Sequence, residues 1–455
     1  MKTDVVILAA GQGSRMKSAM PKVMHRLAGK PMLQHVIDSA QRLAPEAMHV
    51  VIGHEGEQVE QAMSGQPLNF VWQREQLGTG HAVAQAMPNI GQDSVVLVLY
   101  GDVPMTRPET LQQLIKIAAQ GDLGLLTVTL DDPTGYGRII RNAVGDVVAI
   151  VEHKDATEQE RLIREVNTGI LALPSAALHE WLPRLSADNA QGEYYLTDVI
   201  AMAAEEGMRV RAIQPEAEQE VQGVNNRQQL AQLERWYQRQ QAEQLMTDGV
   251  TLADPERIDI RGELRTGRDV LIDINTVFEG EVVLGEGVEI GANCIIRNAR
   301  IGAGTRVEAN SIIDGAVVAE NAQIGPFARL RPGTELAVGS KVGNFVETKK
   351  ARIGEGSKVN HLTYIGDAEI GRNVNVGAGT ITCNYDGVNK SQTKIGDGAF
   401  IGSNSSLVAP VEIGAGATVG AGSTVTKTVA DNQLAVARGK QINLDNWARP
   451  KKKGS

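Results

Sequence analysis

Ile395-Gly396-Asp397-Gly398-Ala399-Phe400-Ile401-Gly402-Ser403-Asn404-Ser405-Ser406-Leu407 carries an aliphatic residue at every sixth position. The series continues through Ile413, Val419 and Val425, and most of its members are followed by Gly or a small polar residue. The same spacing occurs earlier at Ile272, Phe278, Leu284, Ile290 and Ile296, and again at Ile324, Leu330, Leu336 and Val342. A six-residue period suits neither an amphipathic helix nor an alternating strand. It predicts a β-helix of hexapeptide repeats, in which each short strand aims one aliphatic side chain inward and turns the corner at Gly or Asn. The pattern runs over residues 250–437, slips by one at Ile296 to Ile301 and at Ile365 to Ile370, and breaks between Val376 and Ile395.

Composition agrees with that reading. A chain of 455 residues should hold at least two domains. Its 49 glycines and 4% aromatic content suit narrow, aliphatic-filled coils. The net charge of -9 argues against a nucleic-acid partner. Cys294 and Cys383 are isolated, which excludes a disulfide framework and a CxxC metal site and points to a reducing compartment. The first apolar run, Val5 to Ala10, is too short for a signal sequence, and no stretch reaches membrane-spanning length. A cytoplasmic protein without membrane insertion is expected.

Residues 1–226 alternate short apolar runs with helical patterns. Buried strands are expected at Val5–Ala10, Met48–Gly53, Leu68–Trp72, Val95–Tyr100, Leu123–Thr129 and Val147–Glu152, which predicts an α/β domain with a mostly parallel sheet. Residues 227–249 read as a linker helix opened by an Asn cap and closed near Gly249. Residues 438–455 form an irregular, exposed C-terminal tail.

The first expected strand leads into Leu8-Ala9-Ala10-Gly11-Gln12-Gly13-Ser14-Arg15-Met16. Such a loop lets backbone N–H groups approach an anion, and Arg15 adds charge. Met16 departs from the dinucleotide fingerprint, and the Lys-Ser/Thr of a Walker loop is absent. Pro21-Lys22 brings a second cation to the same mouth, an arrangement suited to a triphosphate losing pyrophosphate. Asp102 follows the apolar strand, at the sheet edge where α/β proteins bind ligands, and could hold a hard cation.

The segment from Ala9 to Lys22 resembles the signature of sugar-1-phosphate nucleotidylyltransferases. Gln73 and Gln76-Leu77-Gly78-Thr79-Gly80-His81 match that family's uracil-recognition elements. Gly135-Tyr136-Gly137-Arg138, Val151-Glu152-His153-Lys154 and Glu165-Val166-Asn167-Thr168-Gly169 resemble its sugar-contacting loops, and Gly223-Val224-Asn225-Asn226 the segment with a second magnesium ligand. The resemblance implies a Rossmann-like nucleotidyltransferase fold. It also implies nucleotide and sugar contacts at Leu8, Ala9, Gly11, Lys22, Gln73, Gly78, Thr79, Tyr100, Gly101, Asp102, Gly137, Glu152, Asn167 and Asn225. Arg15 and Lys22 would act on the phosphates, and Asp102 and Asn225 would hold Mg2+.

In the repeat region, His361 is the only histidine after His179. Arg329, Arg331, Lys349, Lys350, Arg352 and Lys358 make its surroundings basic, which suits a phosphorylated ligand beside a proton acceptor. The segment Thr382–Lys390 must leave the coil, either as a surface insertion or as a loop that completes a site on a neighbouring subunit. Cys383 reads as structural, since acyl transfer from a thioester needs no covalent step.

The two halves together resemble the bacterial bifunctional N-acetylglucosamine-1-phosphate uridylyltransferase/glucosamine-1-phosphate N-acetyltransferase family. Gly343-Asn344-Phe345-Val346-Glu347 through Asn384-Tyr385-Asp386-Gly387 carries the resemblance most specifically. It implies that acetyl-CoA acetylates glucosamine 1-phosphate, and that UMP then passes from UTP to the product, giving UDP-N-acetylglucosamine for cell-wall precursors. His361 would be the base for the amine. Arg331, Lys349, Tyr364, Asn375 and Lys390 would hold the sugar phosphate, and Ala378, Asn384, Tyr385, Ser403, Ala421 and Arg438 would line the acetyl-CoA site. A homotrimer and a left-handed parallel β-helix follow from the resemblance, not from the period.

Overall fold

The computed structural model describes residues 2–452, so the last three residues of the expected tail lie outside the described residues. It separates into two compact units, residues 1–237 and 238–455, the division falling inside the helix Arg227–Thr247. That helix contains neither Gly nor Pro. At its start the Asn226 side chain accepts from the Gln229 N–H at 2.9 Å, while the Gln229 side chain accepts from the Asn225 N–H at 2.8 Å. The reciprocal pair satisfies N–H groups that a helix start would otherwise leave free.

In the first unit the strand Lys2–Leu8 pairs in parallel with Ser94–Tyr100 on one side and Ala47–Ile52 on the other. Val5 and Ile7 pack with Leu33, Val36 and Ile37 of the helix Met32–Gln41. Val6 and Leu8 pack with Ala82, Val83 and Ala86 of the helix Thr79–Ala86. Both faces are covered, which is why these strands read as unbroken apolar runs. Across the sheet the order is Val210–Ile213, Leu123–Thr129, Glu165–Pro174, Ser94–Tyr100, Lys2–Leu8, Ala47–Ile52 and Asn69–Trp72.

Glu165–Pro174 runs antiparallel to both of its neighbours. Its first five residues, Glu165–Gly169, look like a loop in sequence because Asn167-Thr168-Gly169 breaks the apolar pattern, at the point where the register shifts between Asn167 and Leu171. Val147–Val151 forms a hairpin with Arg138–Arg141, and the hairpin joins the sheet where Arg138 pairs with Val166.

The second unit is a parallel β-helix. Glu289 pairs with Arg306 and Arg306 with Gln323, a step of 17 residues per coil. Phe400 pairs with Thr418, a step of 18, whereas Asn375 pairs with Phe400, a step of 25, because the segment after Cys383 loops out. The aliphatic series forms one continuous core: Ile272, Ile290, Ile324, Val342, Ile401 and Val419 are each at most 1% exposed. Where the period slips by one, single strands continue round the coil, Ile295–Ile301 and Tyr364–Ile370. One corner repeats a left-handed residue in each coil: Asn275, Asn293, Asn310, Phe327, Phe345 and Leu362 all have positive φ. Asn tolerates that conformation; a bulky apolar side chain adopts it at a cost.

Candidate active sites

At the carboxyl ends of the first unit's parallel strands lies a cleft of about 240 Å³, lined among others by Leu8, Ala9, Gly11, Lys22, Gln73, Gly78, Thr79, Tyr100 and Asp102. The turn Ser14–Met16 follows Gly13, whose left-handed φ of 61° brings the chain back against Lys22. A Cβ on Gly13 would lie 2.6 Å from Lys22 Cβ, so glycine is required for the close approach. The Lys22 ammonium pairs with the Asp102 carboxylate and donates to Asn225 Oδ1 at 3.2 Å. Arg15 reaches the same Asn225 oxygen from the other side at 2.9 Å. Asp102 and Asn225 are joined through the backbone, where the Val224 N–H donates to the Asp102 carbonyl at 2.9 Å. Four side chains from three distant segments thus converge on one mouth.

Magnesium prefers oxygen ligands and usually keeps several waters while binding one or two protein groups and a substrate phosphate. The side-chain oxygens of Asp102 and Asn225 already converge on a cation, the Lys22 ammonium, and form a donor set of the kind that preference requires.

Gln73 is 3% exposed and turns inward, donating to the Gly78 carbonyl at 3.1 Å, with His81 Nδ1 also 3.1 Å away. His81 lies in the first turn of its helix. Gly101 is packed behind the cleft: a Cβ there would meet Val23, Leu33 and Ala9 at 3.1–3.4 Å. Gly137, Glu152 and Asn167 are not part of this cleft's lining, and Tyr100 is a lining residue within reach of the Glu152 charge. Burial first, then the Glu152 and Asp102 carboxylates, push its phenol well above the usual tyrosine range, so it is neutral at physiological pH. The Asn167 N–H donates to the Gly137 carbonyl at 2.9 Å, and the Thr197 hydroxyl to Glu152 Oε1 at 3.3 Å. Burial raises the pKa of Glu152, with the Thr197 bond opposing it. Glu193 also lines the cleft and was not singled out in the sequence. It follows Gln191-Gly192 outside any apolar pattern, so no sequence signal marked it.

In the second unit His361 is exposed and ends the strand Lys358–His361. Its Nδ1 lies 2.8 Å from the side-chain oxygen of Asn344, its partner one coil earlier. If Nδ1 carries the proton and donates to that oxygen, the Nε2 lone pair is left free. The 17-residue separation of Asn344 from His361, one coil, is the sequence signal that marks the two as neighbours.

Beside them Arg331 donates to Glu347 at 2.7 Å, and Glu347 pairs in register with Tyr364. The adjoining Lys390 side chain first, and Arg331 as well, hold the Lys349 ammonium below the usual lysine range. Three cations held this close point to a site for a dianion. Asn384 donates to Asp367 and lies with the Tyr364 hydroxyl over Gly366. Asn375 stands apart from this group, on the sheet that carries Lys358 and in register with it.

Backbone hydrogen bonds run down the corner that begins at His361. The Gly379 N–H donates to the His361 carbonyl, Asn404 to Ala378 and Gly422 to Ser403, while the Arg438 guanidinium donates to the Ala421 carbonyl at 2.7 Å. His361, Ala378, Ser403, Ala421 and Arg438 therefore line one edge. The excluded loop leaves the coil after the strand Ile381–Cys383 and is closed by a bridge between Tyr385 and Lys390, with Tyr385 59% exposed and Lys390 against Lys349.

Comparison with known proteins gives two matching family descriptions: the MobA-like NTP transferase domain over residues 5–247, and the bacterial transferase hexapeptide (six repeats) over residues 392–427. The Bifunctional protein GlmU of Marinobacter nauticus is 63% identical over 448 residues, which covers 98% of this chain and 99% of that protein. The proteins of the same name from Pseudomonas entomophila and Cellvibrio japonicus are 60% and 61% identical, each over 99% of both chains.

Proposed function

This chain belongs to the GlmU family of bifunctional proteins, and we propose from that premise how its residues divide two reactions between a nucleotidyltransferase unit and a left-handed β-helix. The protein is both a uridylyltransferase and an acetyltransferase acting on small molecules. It acetylates glucosamine 1-phosphate, then transfers UMP from UTP to N-acetylglucosamine 1-phosphate, releasing pyrophosphate and forming UDP-N-acetylglucosamine. The observation that carries the division is that two chemically different centres lie in separate units. One gathers Lys22, Arg15, Asp102 and Asn225; the other gathers His361, Asn344 and three cations.

In uridylyl transfer a phosphate oxygen of the sugar phosphate attacks the α-phosphorus of UTP, and the bond to pyrophosphate breaks. The nucleophile is already an anion, so no strong base is needed. Arg15 and Lys22 align the phosphates and meet the charge that grows on the leaving group. Gln73 and the turn at Gly78 face the base, while Gly137, Glu152 and Asn167 hold the sugar. Bound magnesium, held by Asp102 and Asn225, would neutralise phosphate charge.

In acetyl transfer the glucosamine amine attacks the thioester carbonyl of acetyl-CoA. His361 Nε2 takes the amine proton, the C–S bond breaks, and the imidazolium returns that proton to the departing thiolate. Arg331, Lys349 and Lys390 fix the phosphate, with Tyr364 on the sugar; Asn375, on the other sheet, would reach it from a neighbouring copy. Ala378, Ser403, Ala421 and Arg438 form the coenzyme edge, and Asn384 and Tyr385 approach it from the loop. The assembly we propose is a homotrimer working in the cytoplasm. The exposed apolar corner beside His361 supports the assembly, and the full-length likeness to the GlmU proteins supports the compartment.

The test supplies glucosamine 1-phosphate, acetyl-CoA, UTP and Mg2+ and follows thiol and pyrophosphate separately. His361→Ala should cut thiol release by roughly 10²–10⁴-fold while pyrophosphate formation from added N-acetylglucosamine 1-phosphate persists. Asp102→Ala should lower pyrophosphate formation by about 10²-fold or more and spare thiol release. Equal loss of both activities in either folded variant would contradict the division.

A further inference from the structure

Arg138 is an unusual charge. It is 1% exposed, yet it forms no ion pair among the described residues. Its guanidinium donates to three neutral acceptors: the Tyr136 carbonyl, the Arg161 carbonyl at 3.4 Å and His153 Nδ1 at 3.3 Å. Its Nε has no partner. Burial first, and the nearby Arg161 charge second, hold its pKa below the ordinary arginine value. Asp132 pulls the other way but forms no ion pair with it; a buried cation so weakly compensated is costly, and an apolar side chain of similar volume would avoid that cost. Its presence therefore calls for a reason beyond packing.

The reason lies in what Arg138 connects. Its backbone pairs with Val151 on one side and Val166 on the other. Gly137, Glu152 and Asn167 are the adjacent residues, so all three proposed sugar contacts leave the sheet at one rung. That rung has no slack, because a Cβ on Gly137 would lie 2.8 Å from Ile150 Cγ2 and 3.2 Å from Glu152 Oε1. The side chain then ties the segments together beyond the rung. Tyr136 precedes Gly137, His153 follows Glu152, and Arg161 ends the short helix Glu158–Arg161 that leads back towards Asn167. One planar fork with several fixed donors can serve all three at once; an ammonium or an apolar group cannot.

We propose that Arg138 is the positioning residue of the sugar side: from beneath, its guanidinium fixes Gly137, Glu152 and Asn167 relative to one another and so sets the affinity for the N-acetyl sugar phosphate. The inference rests on the reading that those three residues hold the sugar.

The test uses the full chain as Arg138→Met, Arg138→Lys, Glu152→Gln and the Arg138→Met/Glu152→Gln double variant. The KM for N-acetylglucosamine 1-phosphate and for UTP is measured separately, with thiol release as the control. Arg138→Met should raise the sugar-phosphate KM about tenfold and leave the UTP KM and thiol release within about twofold, with Arg138→Lys between it and the parent. In the double variant the two penalties should be less than additive, since one residue acts through the segment carrying the other. A rise in both KM values together, a change in neither, or full additivity would overturn the inference. If Glu152→Gln leaves the sugar KM unchanged, the sugar-site reading falls and takes the inference with it. Should Arg138→Met fail to fold, the same KM split in Arg138→Lys decides.

Discussion

Three histidines of the first unit sit where an imidazolium is disfavoured. His49 is 1% exposed, with neither ring nitrogen hydrogen-bonded, and Asp4 lies 3.6 Å away. The carboxylate pulls its pKa upward, but burial outweighs it, so the folded value lies below the ordinary 6.5. Burial also lowers His35, against the opposing bond to the Leu27 carbonyl, and lowers His25, which the Arg227 charge depresses further. A histidine whose folded pKa is depressed stays neutral in the fold, whereas the unfolded chain takes up a proton below pH 6.5. The stabilisation is therefore complete above pH 6.5 and is lost as pH falls from there towards the folded values. Each histidine can contribute a slope of up to about 1.4 kcal/mol per pH unit in that window. Denaturant unfolding followed by Trp181, which is 2% exposed in this unit, should give a level midpoint from pH 8 to pH 7 and a falling one below pH 6.5. His49→Gln should make the fall shallower, and an unchanged slope would clear His49 of the role.

At the scale of elements the excluded loop is the informative departure from a regular coil. Its flanks are already coil: Ile381 pairs with Ser406, and Thr393 with Val411. Inside the loop, Asp386 accepts from the Val388 and Asn389 N–H groups, and those backbone bonds hold its carboxyl below the usual range. The loop thus has its own turn and rests little on the core. Replacing residues 385–390 with a short Gly-Ser linker should leave thermal unfolding nearly unchanged, since loop-length changes of this size cost well under about 1 kcal/mol. It should nevertheless abolish thiol release, because Tyr385 and Lys390 go with it; retained acetyl transfer would reduce the loop to a surface insertion. The period announced this departure because a buried aliphatic position cannot be skipped without expelling chain. It marked the core residues for the same reason. It could not show that Glu165–Pro174 is antiparallel, since strand direction leaves no mark on a run buried on both faces. Nor could it show Arg138 buried, because a charged residue beside a glycine loop reads as exposed. The nucleotide mouth was legible in its parts, but the meeting of Lys22 with Asn225 depends on tertiary folding that spacing does not encode.

At the scale of the whole molecule the corner of the β-helix beside His361 raises the question of assembly. Phe327, Phe345 and Leu362 are 49%, 54% and 64% exposed, and the two phenyl rings stack with centroids 5.3 Å apart. Each also takes a left-handed backbone, with φ of 56°, 56° and 48°. The equivalent residues of earlier coils are Asn275, Asn293 and Asn310, which adopt that conformation at little cost. A bulky residue there costs roughly 1–2 kcal/mol. In an isolated chain the stacked phenyl rings offset part of this, and burying the exposed half of one such side chain against a partner adds roughly 1 kcal/mol, about half the figure for full burial. Cover by a second copy would offset the remainder, and the proposed trimer would place that cover beside the acetyl site. Phe345→Asp places a charge in that interface at a position already exposed in the single chain, so folding should survive. Sedimentation velocity should then show a shift from trimer towards monomer, with thiol release lost in parallel and pyrophosphate formation from N-acetylglucosamine 1-phosphate retained. A Phe345→Asp protein that sediments as a trimer with full acetyl transfer would mean that this corner faces solvent and that the acetyl site is complete within one chain.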